Sequence, residues 1–277
     1  MDSFQSDTIF LQGEFLSSEQ KILICSSMKT LRDENKLKVL KFWGRISGIV
    51  NDYYLLQGFT SDCFRNVKYF YRYVPRETSF DFIRDSDVAQ TAIPHSHDLI
   101  DWVRLPRVEP EALRLLDDCT SLFTGIPSHV FTFMSPLDQQ EVRLKEEDRL
   151  TAAVVVINNE MSIIPRSAFL IGSYNQTMKN KMFKGLPFDK SADQNSYVHF
   201  EDLRGSKVMF PLLDSTNTIE TDFPPAWKLQ HEQEGQVAVV RSQLWPGLTF
   251  HHQVDSPVYG WTYFGDGRRN WDICYMI

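Results

Sequence analysis

No stretch of this chain is apolar for long enough to cross a bilayer, and the opening MDSFQSDTIF lacks the basic start and apolar core of a secretory leader. The expectation is a protein of the cytosol or of a cytosolic assembly. Cysteine is scarce, and Cys25, Cys63, Cys119 and Cys274 stand far apart, without the paired spacing of a zinc site or a redox dithiol. They read as free thiols in a reducing compartment, where the sequon Asn175-Gln176-Thr177 carries no meaning. Basic charge is in deficit: 29 Lys and Arg against 36 Asp and Glu give a formal net charge of -7, which argues against broad attraction to nucleic acid or an anionic membrane.

Catalytic signatures are missing too. None of the 13 glycines falls in a strand-to-helix turn that could cradle phosphate, and Gly265-Asp266-Gly267, flanked by strand patterns, reads as a hairpin turn. There is no G-x-S-x-G elbow, and nothing pairs a cysteine with a histidine. Acid pairs such as Asp117-Asp118 and Glu146-Glu147 read as solvated. No repeat of solenoid period, low-complexity tract or heptad run is present.

What the chain does have is aromatic surface: 20 Phe, 10 Tyr and 6 Trp make 13% of the residues, a composition that favours sheets and interfaces. It is densest from Val237 to Ile277. Val237–Ser242 is a β-branched strand, and Leu244–His251 is a second one bent at Trp245-Pro246-Gly247. Val258–Phe264 alternates, with Tyr259, Trp261 and Tyr263 on one face. Trp271, Ile273, Tyr275 and Ile277 also alternate and predict a final paired strand. His251-His252 closes the second strand and reads as an ordinary sheet edge, its two rings on opposite faces.

Towards the other end, Ser17 and Gln20 form a capping box for a helix over residues 19–36, whose charged second half is a solvated face. Val39–Phe59 then reads as a hairpin: Leu40, Phe42, Gly44, Ile46, Gly48 and Val50 alternate against Lys41, Trp43, Arg45, Ser47 and Ile49, and Asn51-Asp52 turns the chain. Gly44 and Gly48 imply another backbone or a large ring close by. Lys68–Val74, Phe80–Ile83 and Val130–Met134 look like short strands. Glu109-Pro110-Glu111 opens a helix with Leu113, Leu116, Thr120 and Phe123 on one face, closed by Gly125. LTAAVVVI, within Arg149–Ile157, reads as a buried strand that Asn158-Asn159-Glu160 folds back into Met161–Pro165 as a second hairpin. Gly172–Asn195 and Asp214–Pro225 are polar connections, and Ala226–Glu232 pairs through Glu234-Gly235 with Val237–Ser242. The prediction is an α+β protein, one domain over 1–277: an N-terminal helical segment (1–36), then a largely antiparallel, hairpin-rich body (37–277).

Two chemical alternatives have residues to name. His95 and His97, beside Asp98 in a loop, could bind a metal in a small metal-dependent or other cytosolic enzyme, although no further ligand cluster accompanies them. Lys68-Tyr69-Phe70-Tyr71-Arg72-Tyr73 could stack nucleic-acid bases, against the acidic total.

The dense stretches carry a resemblance. FWGRISGIVNDYYLLQG (Phe42–Gly58), IIPR (Ile163–Arg166) and LWPGLTF followed by YGWTYFGDGRRNWD resemble the radial spoke head proteins of cilia and flagella. Leu37–Phe59, Arg149–Phe169 and Val237–Ile277 are covered, and Thr60–Gln140 and Gly172–Glu234 show little to match. The resemblance implies a non-enzymatic structural subunit of the axonemal radial spoke head, the complex that relays signals between the central pair and the doublet dyneins. Its implied partners are paralogous head subunits, a repeat-rich head protein and the spoke stalk scaffold, with no nucleic acid, membrane, metal or cofactor. Candidate interface residues are Trp43, Tyr53 and Tyr54 in the first hairpin and Trp245, Tyr259, Trp261, Tyr263 and Trp271 near the end. For each the competing reading is core packing.

Overall fold

The computed structural model describes residues 16–60, 67–76, 99–134, 141–172, 176–200, 218–222 and 226–275. His95, His97 and the strand expected at Phe80–Ile83 lie outside these residues. Helix α1 (Ser18–Glu34) starts as its sequence dictates: Ser17 Oγ accepts the Gln20 N–H at 3.1 Å, and Gln20 Oε1 accepts the Ser17 N–H at 3.0 Å. Ser17→Ala is expected to lower stability by about 1 kcal/mol, read from the urea midpoint at unchanged m value.

The expected hairpin follows as β1 (Val39–Ile46) and β2 (Asn51–Phe59), then β3 (Lys68–Pro75) and a two-residue β4 (Val103–Arg104). Helix α2 (Pro110–Leu115) precedes the hairpin β5 (Val130–Met134) and β6 (Glu141–Lys145), which leads into helix α3 (Glu146–Met161). Next come β7 (Ile163–Pro165), the pair β8 (Phe169–Gly172) and β9 (Gln176–Lys179), the single turn α4 (Phe188–Ser191), and β10 (Tyr197–His199), which pairs with β7. The chain closes with the meander β11 (Trp227–Glu232), β12 (Val237–Ser242), β13 (Leu248–Gln253) and β14 (Tyr259–Gly265).

Eight strands form one sheet in the order β11-β12-β13-β14-β1-β2-β3-β4. Every neighbouring pair is antiparallel except β14 and β1, which run parallel with Gly44 opposite Tyr263, Arg45 opposite Phe264 and Ile46 opposite Gly265. The sheet is thus two four-stranded meanders, one from each end of the described chain, joined at its middle. α3 crosses one face. At its start Glu146 and Glu147 meet Tyr53 of β2 and Tyr71 of β3, and at its end Met161 Sδ accepts from Ser242 of β12 at 3.2 Å. α1 covers β1 to β3 on the other face, burying Ile24, Met28 and Leu31 with Leu40, Tyr54, Leu56 and Phe70.

The structure departs from the sequence reading at several elements, and the polar connection expected at Gly172–Asn195 carries β9 and α4. LTAAVVVI is helix, inside α3, and Asn158-Asn159-Glu160 continues that helix, so there is no second hairpin there. Leu150, Thr151, Ala152, Ala153, Val154 and Ile157 are all buried, and a helix covered on nearly every side shows no polar stripe to distinguish it from a strand. The alternation of β1 breaks at a bulge between Phe42 and Gly44. Trp43 therefore joins Ile46 on the α3 side, while Leu40 and Phe42 face α1. α2 ends at Leu115, with Ala112 and Leu115 as its buried positions and Leu113 exposed. Trp271–Tyr275 is a 3-10 turn, not a strand. His251 and His252 are buried in β13, an internal strand, so no sheet edge runs there.

His252 has a pH consequence. Its Nε2 accepts the Leu186 N–H at 3.4 Å, Phe183 and Tyr197 rings flank it, and burial pushes its pKa down to about 4, against smaller opposing contributions from Ser256 and Asp255. Above pH 6.5 the ring is neutral in both states. As the pH falls from 6.5 towards 4 the unfolded chain binds a proton that the folded chain refuses, so this contribution to stability declines across that window and levels off below it. The expected loss is about 3 kcal/mol. Urea titrations at pH 7.5 and 4.5 should show it, and His252→Gln should flatten the pH dependence.

Candidate partner interface

Among the eight candidate aromatics, five are covered by the chain itself. Trp43, pushed inward by the bulge, is 1% exposed and packs edge-on against Trp261 at 5.8 Å between ring centroids, with Tyr263 at 5.5 Å. Tyr53 and Tyr263 are fully buried, and burial raises both phenol pKa values well above the usual range; beside Tyr53 the Glu146 carboxylate adds to the rise. Tyr54 lies on the α1 face, where its hydroxyl accepts from Gln20 Nε2 at 3.2 Å. The buried Trp245 indole donates to Glu160 at 2.9 Å. Tyr259 and Trp261 are half-buried against the α3 core. Trp271 is exposed.

Several residues that hold this arrangement gave no sequence signal of their own. Glu146, expected to be solvated, is fully buried at the first turn of α3. Its carboxylate accepts from Tyr53 Oη at 2.7 Å, Thr124 N at 2.9 Å, Thr124 Oγ1 at 2.7 Å, Gly125 N at 2.7 Å and Ile126 N at 3.1 Å. One side chain thereby ties β2, the loop at 124–126 and α3. One turn on, the buried Arg149 donates to the Cys119 and Ser121 carbonyls at 2.9 and 2.6 Å, and its guanidinium lies over Phe123 and Phe131 at 4.3 and 4.8 Å. The acids Glu146, Glu147 and Asp148 just before the apolar run were the available clue, since carboxylates gather at helix N-termini.

The GDGRRNW stretch forms a clasp. Gly267, at φ 72°, donates its N–H to the Tyr263 hydroxyl at 2.9 Å, and Arg268 reaches the Thr120 carbonyl at 3.2 Å. Arg269 bonds Asp117 at 3.0 Å and Glu160, and its guanidinium lies against Trp245 at 5.3 Å and Trp271 at 4.8 Å. Asp117 is exposed, as read, and is also an ion-pair partner. The clasp binds the end of the chain to the last turn of α3 and to the segment after α2.

Polar contacts elsewhere are internal. Ser191 Oγ lies 2.9 Å from His231 Nε2 and 2.7 Å from the Phe188 carbonyl, to which it donates. Asp222 meets His199 at 2.7 Å and the Trp227 indole at 2.5 Å; burial works to raise its pKa, but these two donors outweigh it and hold the carboxyl below the usual range. Among the described residues no group of three or more His, Cys, Asp and Glu side chains is placed to hold a metal ion.

Comparison with known proteins identifies the lineage. The profile of the radial spokehead-like protein family matches residues 4–63, a span that contains α1 and the β1-β2 hairpin. A radial spoke head protein 9 homolog of Mus musculus is 30% identical over 284 residues, covering 96% of this chain and 94% of that protein. The chain belongs to the radial spoke head protein family. A radial spoke head protein 9 homolog of Danio rerio is likewise 30% identical, over 99% of this chain and 98% of the relative, and one of Homo sapiens is 28% identical over 96% and 94%. These alignments run through Thr60–Gln140 and Gly172–Glu234, where the motifs alone show little to match.

In this radial spoke head protein the motif stretches form the joint of the large sheet, the small β7-β10 sheet and the clasp. FWGR supplies the bulge and the strand that meets β14, and IIPR forms β7 with the Arg166 N–H bonded to the Ser196 carbonyl at 2.8 Å. GDGRRNW fastens the end of the chain against α3.

Proposed function

We propose that this chain is a structural, non-enzymatic subunit of the radial spoke head, assembling with paralogous head subunits in the axoneme of a cilium or flagellum to support motility. The observation that carries the reading is the relationship to radial spoke head protein 9 homologs across nearly the whole chain. The interior agrees with it: Glu146, Arg149 and Ser191 spend their polar atoms or their charge on the chain's own groups and rings. No helix among the described residues is long and apolar enough to cross a membrane. The repeat-rich head protein and the stalk scaffold complete the proposed partner set.

The test is affinity purification of the tagged chain from isolated axonemes. Recovery of the paralogous head subunits in fixed ratio is the expected result. Recovery from the soluble cell body alone, without them, overturns the proposal.

A further inference from the structure

The clasp leaves two aromatic rings in water: Trp271 is 60% exposed and Tyr275 86%. Other large rings of this chain, Trp43, Trp245, Tyr53, Tyr197 and Tyr263 among them, are covered almost completely. Trp271 is exposed and yet held. Arg269 lies under it at 4.8 Å and is itself fixed by Asp117, Glu160 and Trp245. The backbone beneath is pinned as well: Asn270 donates its N–H to the Leu244 carbonyl at 2.8 Å and its side-chain amide to the Gln243 carbonyl at 3.1 Å, and Ile273 is buried at 7% exposed.

A large exposed ring that its own chain supports from beneath has the physical profile of an interface anchor, because ordering entropy is a principal cost of association. The charge around it points to the partner. Asp117 and Glu160 pair with Arg269 and Asp266 with Arg268, so with Asp272 the carboxylates around the clasp exceed its guanidiniums by two. A complementary surface offers an apolar recess for the rings and cations at its rim.

We propose that the face centred on Trp271 and Tyr275 seats a neighbouring radial spoke head subunit through an apolar pocket rimmed by lysine or arginine. This rests on the spoke head reading above and assigns the contact within it. The experiment co-expresses the full chain with each paralogous head subunit, follows complex formation by size-exclusion chromatography and measures affinity by titration calorimetry. Trp271→Ala and Tyr275→Ala should each weaken the complex about tenfold or more, and Asp272→Lys should weaken it with an effect that shrinks as salt rises. Met182→Ala, altering a side chain 80% exposed elsewhere, should bind like the parent.

Thermal midpoints should stay within about 2 °C of the parent, so that lost binding is not lost folding. Should the parent form the complex and both aromatic variants bind as tightly, the surface is wrong and the spoke head reading stands. A parent chain that captures none of the head subunits removes the spoke head reading, and this assignment with it. Self-association of the chain alone, abolished by Trp271→Ala, would give the face to a second copy and overturn the assigned partner.

Discussion

Gly44→Ala is expected to leave little folded protein. Gly44 has φ 149°, where a side chain is strained, and it stands opposite Tyr263 in the parallel pair of β1 and β14. A Cβ there would lie 2.1 Å from the Tyr263 carbonyl oxygen and 2.8 Å from its nitrogen. Both atoms are backbone within a sheet and cannot rotate aside, so relief requires β1 and β14 to part. Their register is Gly44–Ile46 against Tyr263–Gly265, which is the joint between the two meanders. The loss should exceed about 4 kcal/mol, in a protein whose total stability is expected to be roughly 5–15 kcal/mol.

The measurement is urea unfolding of whatever soluble protein is recovered. Gly260→Ala makes the contrast, since a Cβ there meets the His251 ring at 3.0 Å, a side chain that can shift; a loss of about 1 kcal/mol is expected. A Gly44→Ala protein as stable as the parent would contradict the parallel pairing.

Glu146→Ala is expected to cost about 5 kcal/mol. Truncation strips the acceptor from the hydroxyls of Tyr53 and Thr124 and from the N–H groups of Thr124, Gly125 and Ile126, at a position with no solvent exposure to replace it. Each buried donor left unmade costs about 1–3 kcal/mol, and partial relaxation keeps the sum below simple addition. Glu146→Gln keeps one carbonyl oxygen but turns an amide N–H2 towards donors, so about half that loss is expected. Tyr53→Phe, which removes a donor and leaves the carboxylate four other contacts, should cost about 1 kcal/mol. Guanidinium denaturation of the three variants tests the order Ala, Gln, Phe, and a Glu146→Ala loss under 1 kcal/mol would show that the carboxylate is not what ties α3 to β2.

Local chemistry made much of this fold readable. The Ser17 and Gln20 cap and the β11-β12 pair with its Glu234-Gly235 turn depend on residues close in sequence and form where the pattern places them; the β1-β2 hairpin forms as well, but it turns at residues 47–50, and Asn51 and Asp52, expected as the turn, are paired within β2. What escaped depends on distant neighbours. α3 shows no stripe because the sheet and the segments around it bury nearly its whole circumference. The bulge at Trp43 answers to Tyr263, more than two hundred residues away, and it shifts Trp43 from the expected face into the core. Trp271, Ile273 and Tyr275, expected on one face of a strand, part in a 3-10 turn that buries Ile273 and exposes the two rings, with Arg269 beneath Trp271. The same long-range contacts decide which candidate aromatics are core, so five of the eight were out of reach of any local pattern.

The parallel joint also sets a timetable for synthesis. Synthesis runs from β1 to the neighbour on its open side, β14 at residues 259–265, through more than two hundred residues. At roughly 5–20 residues per second, about 10–40 seconds separate the two. Throughout that interval the nascent chain presents an unpaired β1 edge beside a Trp43 that β14 has yet to cover, so the joint between the meanders is the late, long-range step in assembling the sheet.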